Sequence, residues 1–352
     1  MESCLDNIFV LNKNFEAIGV IDFASSIIWT TRYYEAGDFE IYAQATDKAI
    51  NLLQEDFYLI REDCDMVGII ENISITTDAE NGNWLTVTGR DAKSILERRI
   101  VWNQTNLTGK VANGIITLLN NNIISAASNR KISNFTATTP STSVFTDTFE
   151  KQITGKNLYE SILAICQEFY YGSKVTLNNG IFNFELYKGI DRSVNQTTNP
   201  HIVFSPEYDN FLASNYSLEL GSYKNVALVA GEGEGTARKT QTVGTATGLN
   251  RYEIYVDSRN TSSNEGEITE AEYNSLLIAE GQEILAENVR TETFEGTINS
   301  GRTYIYNEDY FLGDIVTVKN EFNIQKDVRI IEVIESLDEN GLTITPSFED
   351  RM

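Results

Sequence analysis

The chain holds one histidine, His201, which follows Pro200 at the start of a predicted strand. A Ser–His–Asp or Cys–His nucleophile would need that imidazole as its base. His201 lies in no Gly-x-Ser-x-Gly or related motif, so it reads as an edge-strand or loop histidine. Two carboxylate clusters could hold a metal or work as acid and base: Asp63-Cys64-Asp65 and Glu308-Asp309. Neither follows the Asp-x-Asp/Asn-x-Asp/Asn-Gly loop that wraps calcium, and both fall at predicted turns. A glycosidase needs two carboxyl groups about 5–10 Å apart. With 51 acidic residues such pairs arise by chance, and the sequence selects none.

The run Gly231-Glu-Gly-Glu-Gly235 invites comparison with a phosphate-cradling loop. Glu232 and Glu234 would repel a phosphate, and neither a Gly-Lys-Ser/Thr triplet nor an amphipathic helix follows. The run reads as a flexible link or an assembly loop. Cys4, Cys64 and Cys166 lie far apart without Cys-x-x-Cys spacing, which argues against a disulfide framework or a zinc site. The expectation is a chain with no catalytic residues, no metal ligands, no cofactor-binding residues and no cofactor. It is therefore read as not an enzyme.

Bulk composition narrows the class. At 352 residues, with 41% hydrophobic and 11% aromatic content, the chain should fold into two or three domains. Lys and Arg total 27 against 51 Asp and Glu, for a formal charge of −24. Gripping nucleic acid by its phosphates needs the opposite balance. The N-terminus has no basic region before an apolar run, and no window approaches the ~18 apolar residues of a spanning helix. The expectation is a protein made in a reducing cytoplasm, without membrane insertion.

The elements alternate in type along the chain. Residues 28–34 and 39–44 pattern as a hairpin, Thr46 caps a short helix to Leu53, and 68–76 with 84–88 form a second hairpin about Asn81-Gly82. A helix follows over 92–99, so residues 1–100 read as a β-barrel closed by a helix. Residues 101–200 read as an α+β lobe. Val111, Ile115, Leu118 and Leu119 form one helical stripe, and Leu158, Ile162, Ile165 and Phe169 form another. Asn157 with Glu160 starts that second helix and Gly172 suits its C-terminal cap. Residues 125–150, rich in Ser, Thr and Asn, read as an exposed loop or arm.

Residues 201–352 read as a second barrel with a mobile glycine-rich loop (231–248) and an inserted helix (269–290). Thr269-Glu-Ala-Glu272 is the capping-box signature of that helix. From Thr293 to Phe348 side chains alternate: Phe294, Gly296 and Ile298 against Thr293, Glu295 and Thr297, and Val316 and Val318 against Ile315, Thr317 and Lys319. Period-two alternation broken by Gly-Asp and Asn-Gly turns signals consecutive antiparallel strands. Such a domain offers pairing surfaces and little chemistry, so function is sought in assembly.

Four stretches carry a family resemblance: Tyr223-Lys-Asn-Val-Ala-Leu-Val-Ala-Gly-Glu-Gly-Glu-Gly235, Glu308-Asp-Tyr-Phe-Leu-Gly-Asp-Ile-Val-Thr-Val318, Trp29-Thr-Thr-Arg-Tyr-Tyr-Glu-Ala-Gly-Asp-Phe-Glu-Ile41 and Gly89-Arg-Asp-Ala-Lys-Ser-Ile-Leu-Glu-Arg-Arg99. In order, and spanning nearly the whole chain, they resemble a siphophage and prophage tail-protein family similar to trimeric tail-tip (baseplate) hub proteins. The resemblance implies a mainly β fold with an α+β lobe, in which two tail-tube-like β-barrels are accompanied by smaller inserted α/β domains. It also implies a homotrimeric ring that adapts the tail tube to a tip fibre or spike. The implied partners are sister copies, the adjacent distal tail or tube protein, and the tip fibre or spike protein. DNA is expected only in transit, and the location is the virion tail tip or a prophage-derived particle. Some relatives continue into a hydrolase or receptor-binding module. This chain stops at Met352, so such an activity is expected on another polypeptide.

The acidity then acquires a candidate purpose, since acidic side chains around a channel would let DNA slide. The rival reading is a β-rich receptor- or carbohydrate-binding module, for which exposed Trp29, Trp84 or Trp102 would speak. All three are read here as fillers of barrel cores. A third reading, a cell-wall hydrolase, requires an acid/base pair in a cleft.

Overall fold

The computed structural model describes residues 7–80, 82–263, 267–298 and 303–350, with backbone alone at residues 214, 294–298 and 350. Cys4 and Asn81 lie outside the described residues, as do the side chains of Phe294 and Ile298.

β-Branched and aromatic residues at every second position build a mainly β protein around one 13-stranded sheet. Its path runs Phe211–Glu219, Thr291–Ile298, Gly341–Asp350, Gln325–Asp338, Ala24–Arg32, Asp38–Gln44, Gly82–Asp91, Cys64–Asp78, Tyr58–Arg61, Ile8–Leu11 and Ala17–Ile21. Ile315–Lys319 and Val203–Phe204 branch from Gln325–Asp338. Two tail-tube-like barrels were expected. Ala24–Arg32 pairs antiparallel with Gln325–Asp338, from Arg32 opposite Glu332 to Ile27 opposite Leu337. The first and last parts of the chain therefore share a hydrogen-bonded seam. No pairing closes the path among the described residues.

Apolar side chains from the sheet collect on both sides of that seam. One core holds Trp29, Phe39, Ile41, Leu85 and Val87. Another holds Phe204, Val316, Val318, Ile330 and Phe348. A third joins Ile115, Leu118, Ile162, Ile165 and Phe184 to Tyr33, Val67 and Leu96 from the first hundred residues. Each such side chain contributes about 1.5–3 kcal/mol on burial. Ile315 and Thr317, on the face opposite Val316 and Val318, are buried too, because the 191–202 segment covers that side: Thr317 Oγ1 accepts from Val194 N at 3.0 Å.

The helices fall where their caps lie. Thr46 accepts from Ala49 N to start Asp47–Leu52, and Asn157 accepts from Tyr159 N and Glu160 N to start Leu158–Glu168. The run 92–98 is 3-10 rather than α, capped by Asp91 and tightened by Arg99 N to Leu96 O. Gly172 is not the cap of Leu158–Glu168; Tyr170 takes the left-handed conformation there. Gly172 instead opens the strand Gly172–Asn178, where a Cβ would stand 2.3 Å from the Tyr33 ring.

Residues 125–150 are more ordered than a polar arm. They hold Phe135–Ala137 and the start of Thr148–Ile153, with Phe135 and Phe145 buried. The glycine-rich tract is likewise fixed by its own chain. Thr240–Val243 pairs with Val226–Ala230, which is flanked on its other side by Glu253–Asp257. Over this small sheet packs the helix Glu270–Glu287, its capping box formed by Thr269 and Glu272 and its Tyr273 and Leu277 buried.

Candidate assembly surface

The residues that could have done chemistry do not converge. His201 is exposed, and its Nε2 donates to the Gln196 carbonyl at 2.8 Å. The two acidic turns are neighbours, since Asn307 Nδ2 donates to Asp63 O at 3.3 Å. Three of their four carboxylates are nonetheless already engaged. Asp63 pairs with Arg61, Asp65 with Lys174 at 2.6 Å, and Asp309 accepts from Ile305 N at 2.8 Å. In the glycine-rich loop Glu232 N donates to Tyr273 Oη, and the Glu232 carboxylate accepts from Ser263 N. No group of three metal-ligating side chains is present among the described residues. Burial pushes the Cys166 thiol up to about 12.

The tryptophans divide. Trp29 is fully buried between Phe39 and Arg61, with ring and guanidinium 5.7 and 5.5 Å away. Trp84 is half-buried and stacks on Tyr42 at 4.7 Å. Trp102 departs from the expected core position: it is 63% exposed, with the Arg130 guanidinium 5.1 Å from its ring.

What the fold does present is strand edge. Among the described residues Cys64–Asp78 pairs with Tyr58–Arg61 as far as Ile69, and beyond that with Gly82–Asp91. Residues 72–78, Asn-Ile-Ser-Ile-Thr-Thr-Asp, are exposed on both faces. At the far end of the path the strand pairing shown for Phe211–Glu219 among the described residues is with Thr291–Ile298, and Leu212 and Leu218 are exposed. Neither edge carries Lys or Pro, the residues that usually blunt an unpaired strand. Alternation predicts strands here but not which of them end the path.

A group of charges missed by sequence reasoning fixes the seam between these edges. Arg61, with no solvent exposure, donates from Nη1 and Nη2 to Glu335 at 2.9 and 3.0 Å, and also binds Asp63. Arg32 on the seam bridges Asp38 and Glu332. The partners are up to 300 residues apart, so no local spacing announces them. No helix of the described residues is long and apolar enough to cross a membrane.

This mainly β architecture is that of prophage tail proteins. The chain is similar to the 43 kDa tail protein of prophage MuSo2 from Shewanella oneidensis, with a TM-score of 0.61 at 12% identity over 97% of this chain and 98% of that one. It is similar as well to a tail protein from Neisseria meningitidis MC58 (TM-score 0.54, 12% identity, 98% and 96% coverage). The prophage tail protein gp18 of Listeria monocytogenes EGD-e gives 0.54 at 15% identity, over 97% and 94% of the two chains. The chain belongs to the Siphovirus ReqiPepy6 Gp37-like protein family, whose model matches residues 7–348. A comparison with curated protein sequences gives no match.

Proposed function

We propose that this tail protein is a structural hub at the distal end of the tail, without catalysis of its own. Three copies form a ring that joins the tail tube to the tip fibre or spike, and DNA passes through its channel. The observation that carries this reading is the pair of unblunted sheet edges, residues 72–78 and Phe211–Glu219, at distinct places on one open sheet. A three-fold ring is built from heterologous contacts, in which one surface of a subunit meets a different surface of the next. Edge strands supply such contacts by pairing. We read residues 1–100, 101–200 and 201–352 as its three units, the first and last making the ring wall.

The formal charge of −24 supports passage rather than binding of DNA, because duplex DNA carries about one negative charge per 1.7 Å. Light scattering of the purified chain, alone and with its neighbouring tail protein, tests the ring. A three-copy mass is expected. A one-copy mass under both conditions overturns the proposal. The exposure of Trp102 favours one second reading, a receptor- or carbohydrate-binding tail module. On that reading glycan binding is present and is lost in Trp102→Ala.

A further inference from the structure

In so acidic a chain, one surface is basic. Arg98, Arg99, Arg130 and Lys131 stand together where the 92–98 helix leads into residues 99–102. Arg99 Nε donates to Arg130 O at 2.8 Å and Arg130 Nη2 to Ile100 O at 2.7 Å. The Arg130 guanidinium lies against Trp102, and both Ile100 and Trp102 are exposed. Arg98 and Lys131 are exposed, Arg99 and Arg130 half-buried, and none of the four forms a salt bridge among the described residues. Arginine and tryptophan held by backbone hydrogen bonds on an exposed surface are the composition of an interface anchor.

A groove of the opposite charge lies beside the seam. Its volume is about 390 Å³, and its walls bring Glu35, Glu168, Glu283, Glu287, Glu292, Glu332 and Glu349 together with one cation, Arg290. Lys151 takes Glu168 and Glu283, Arg32 takes Glu332, and Arg290 and Lys326 take Glu292. Among the described residues Glu35 and Glu287 make no salt bridge. Burial and then the like charge of Glu283 hold Glu287 above the ordinary carboxylate value, against the smaller opposite pull of Lys156 and Lys151.

We infer that the basic surface around Arg98, Arg130 and Trp102 of one copy docks in the glutamate-lined groove of the next copy. This rests on the ring reading and names its contact. A copy cannot fill its own groove. Arg99 and Glu97 hold the N-terminal end of Leu158–Glu168, through Leu158 N to Arg99 O and Asn157 Nδ2 to Glu97 O. The groove takes Gln167 and Glu168 from the other end, about 15 Å away.

Each charged surface also adjoins one of the two sheet edges. Arg90 binds both Glu71, on the edge strand Cys64–Asp78, and Glu97 beside the basic surface. Thr291 and Glu292 of the groove pair with Glu219 and Leu218 of the other edge strand. One side of a subunit thus offers an edge with a basic surface, and another offers an edge with an acidic groove, as a head-to-tail contact requires.

The test uses the full chain in sedimentation velocity over a concentration series, with circular dichroism confirming folding. Arg98→Glu with Lys131→Glu reverses the basic surface at two exposed side chains. Glu35→Lys with Glu287→Lys reverses the groove. Each pair is expected to weaken association by about tenfold or more, as is raising salt from about 0.1 to 0.5 M. All four substitutions in one chain are expected to restore it. If the wild type associates and neither pair weakens it, or the fourfold variant is not rescued, the docking is wrong and the ring stands. If the wild type stays a monomer throughout, alone and with its neighbouring tail protein, the docking and the ring both fall.

Discussion

Arg61 and Glu335, 274 residues apart, form a two-point ion pair with the guanidinium wholly out of solvent and the carboxylate nearly so. Arg61 ends the strand Tyr58–Arg61, and Glu335 lies on the seam strand Gln325–Asp338. The pair therefore ties the first unit to the last beneath the hydrogen bonds of the seam itself.

Removing one partner leaves a buried charge with a single companion, Asp63. Glu335→Ala is expected to destabilise the chain by about 3–5 kcal/mol in urea unfolding. Replacing both, Arg61→Met with Glu335→Leu, should recover most of that loss, since an apolar pair of similar volume carries no desolvation cost. A loss under about 1 kcal/mol for Glu335→Ala would show that the pair holds nothing together.

Tyr33 is clasped where three regions meet. Gly313 adopts φ +92° and a Cβ there would stand 2.2 Å from the Tyr33 ring, while Gly172 approaches the same ring. Gly313→Ala combines backbone strain with overpacking and is expected to cost about 3 kcal/mol. Gly341, at φ +105° with open space around it, gives the control for strain alone. Its alanine variant should lose clearly less by the same unfolding measurement.

Burial raises the Cys166 thiol from its ordinary 9.0 to about 12. The folded state therefore favours the protonated form. Its contribution is full below pH 9 and is lost as pH climbs toward 12. Relative to Cys166→Ala, the wild-type melting temperature is expected to fall across that window. At pH 8 an aromatic disulfide reagent should count the same number of thiols in native wild type and variant, and one more in wild type once urea is added.

The strand edges can be disabled without touching a core. Ile75 and Leu212 are exposed by 50% and 60%. Ile75→Lys and Leu212→Lys should each change unfolding stability by no more than about 0.5 kcal/mol. Both should lower the association measured by light scattering, because Lys on an edge opposes pairing. Unchanged association in both variants would remove the edges from the interface.

Local patterns were legible where the physics is local. Thr46, Asn157 and the Thr269/Glu272 box marked helix starts that the structure keeps. The hairpin of Trp29 opposite Phe39 followed from alternation. What escaped depends on neighbours distant in sequence. Gly172 looked like a cap because glycine suits that place, yet its lack of a side chain serves the Tyr33 ring. The 231–248 tract looked mobile because its own residues bury little, yet Tyr273 from the helix 40 positions on pins it. The seam pairing of residues 27–32 with 332–337 joins the first and last parts of the chain in one path, and no period within either strand specifies the other as its partner. The edges, the acidic groove and the basic surface are products of that path.

The most direct measurement is an image of the assembled tail tip, by electron microscopy at a resolution that traces strands. The expected result is three copies of this chain around a channel, with residues 72–78 of one copy beside Phe211–Glu219 of the next. A single self-sufficient copy at the tip, with both strands facing solvent, would contradict the account.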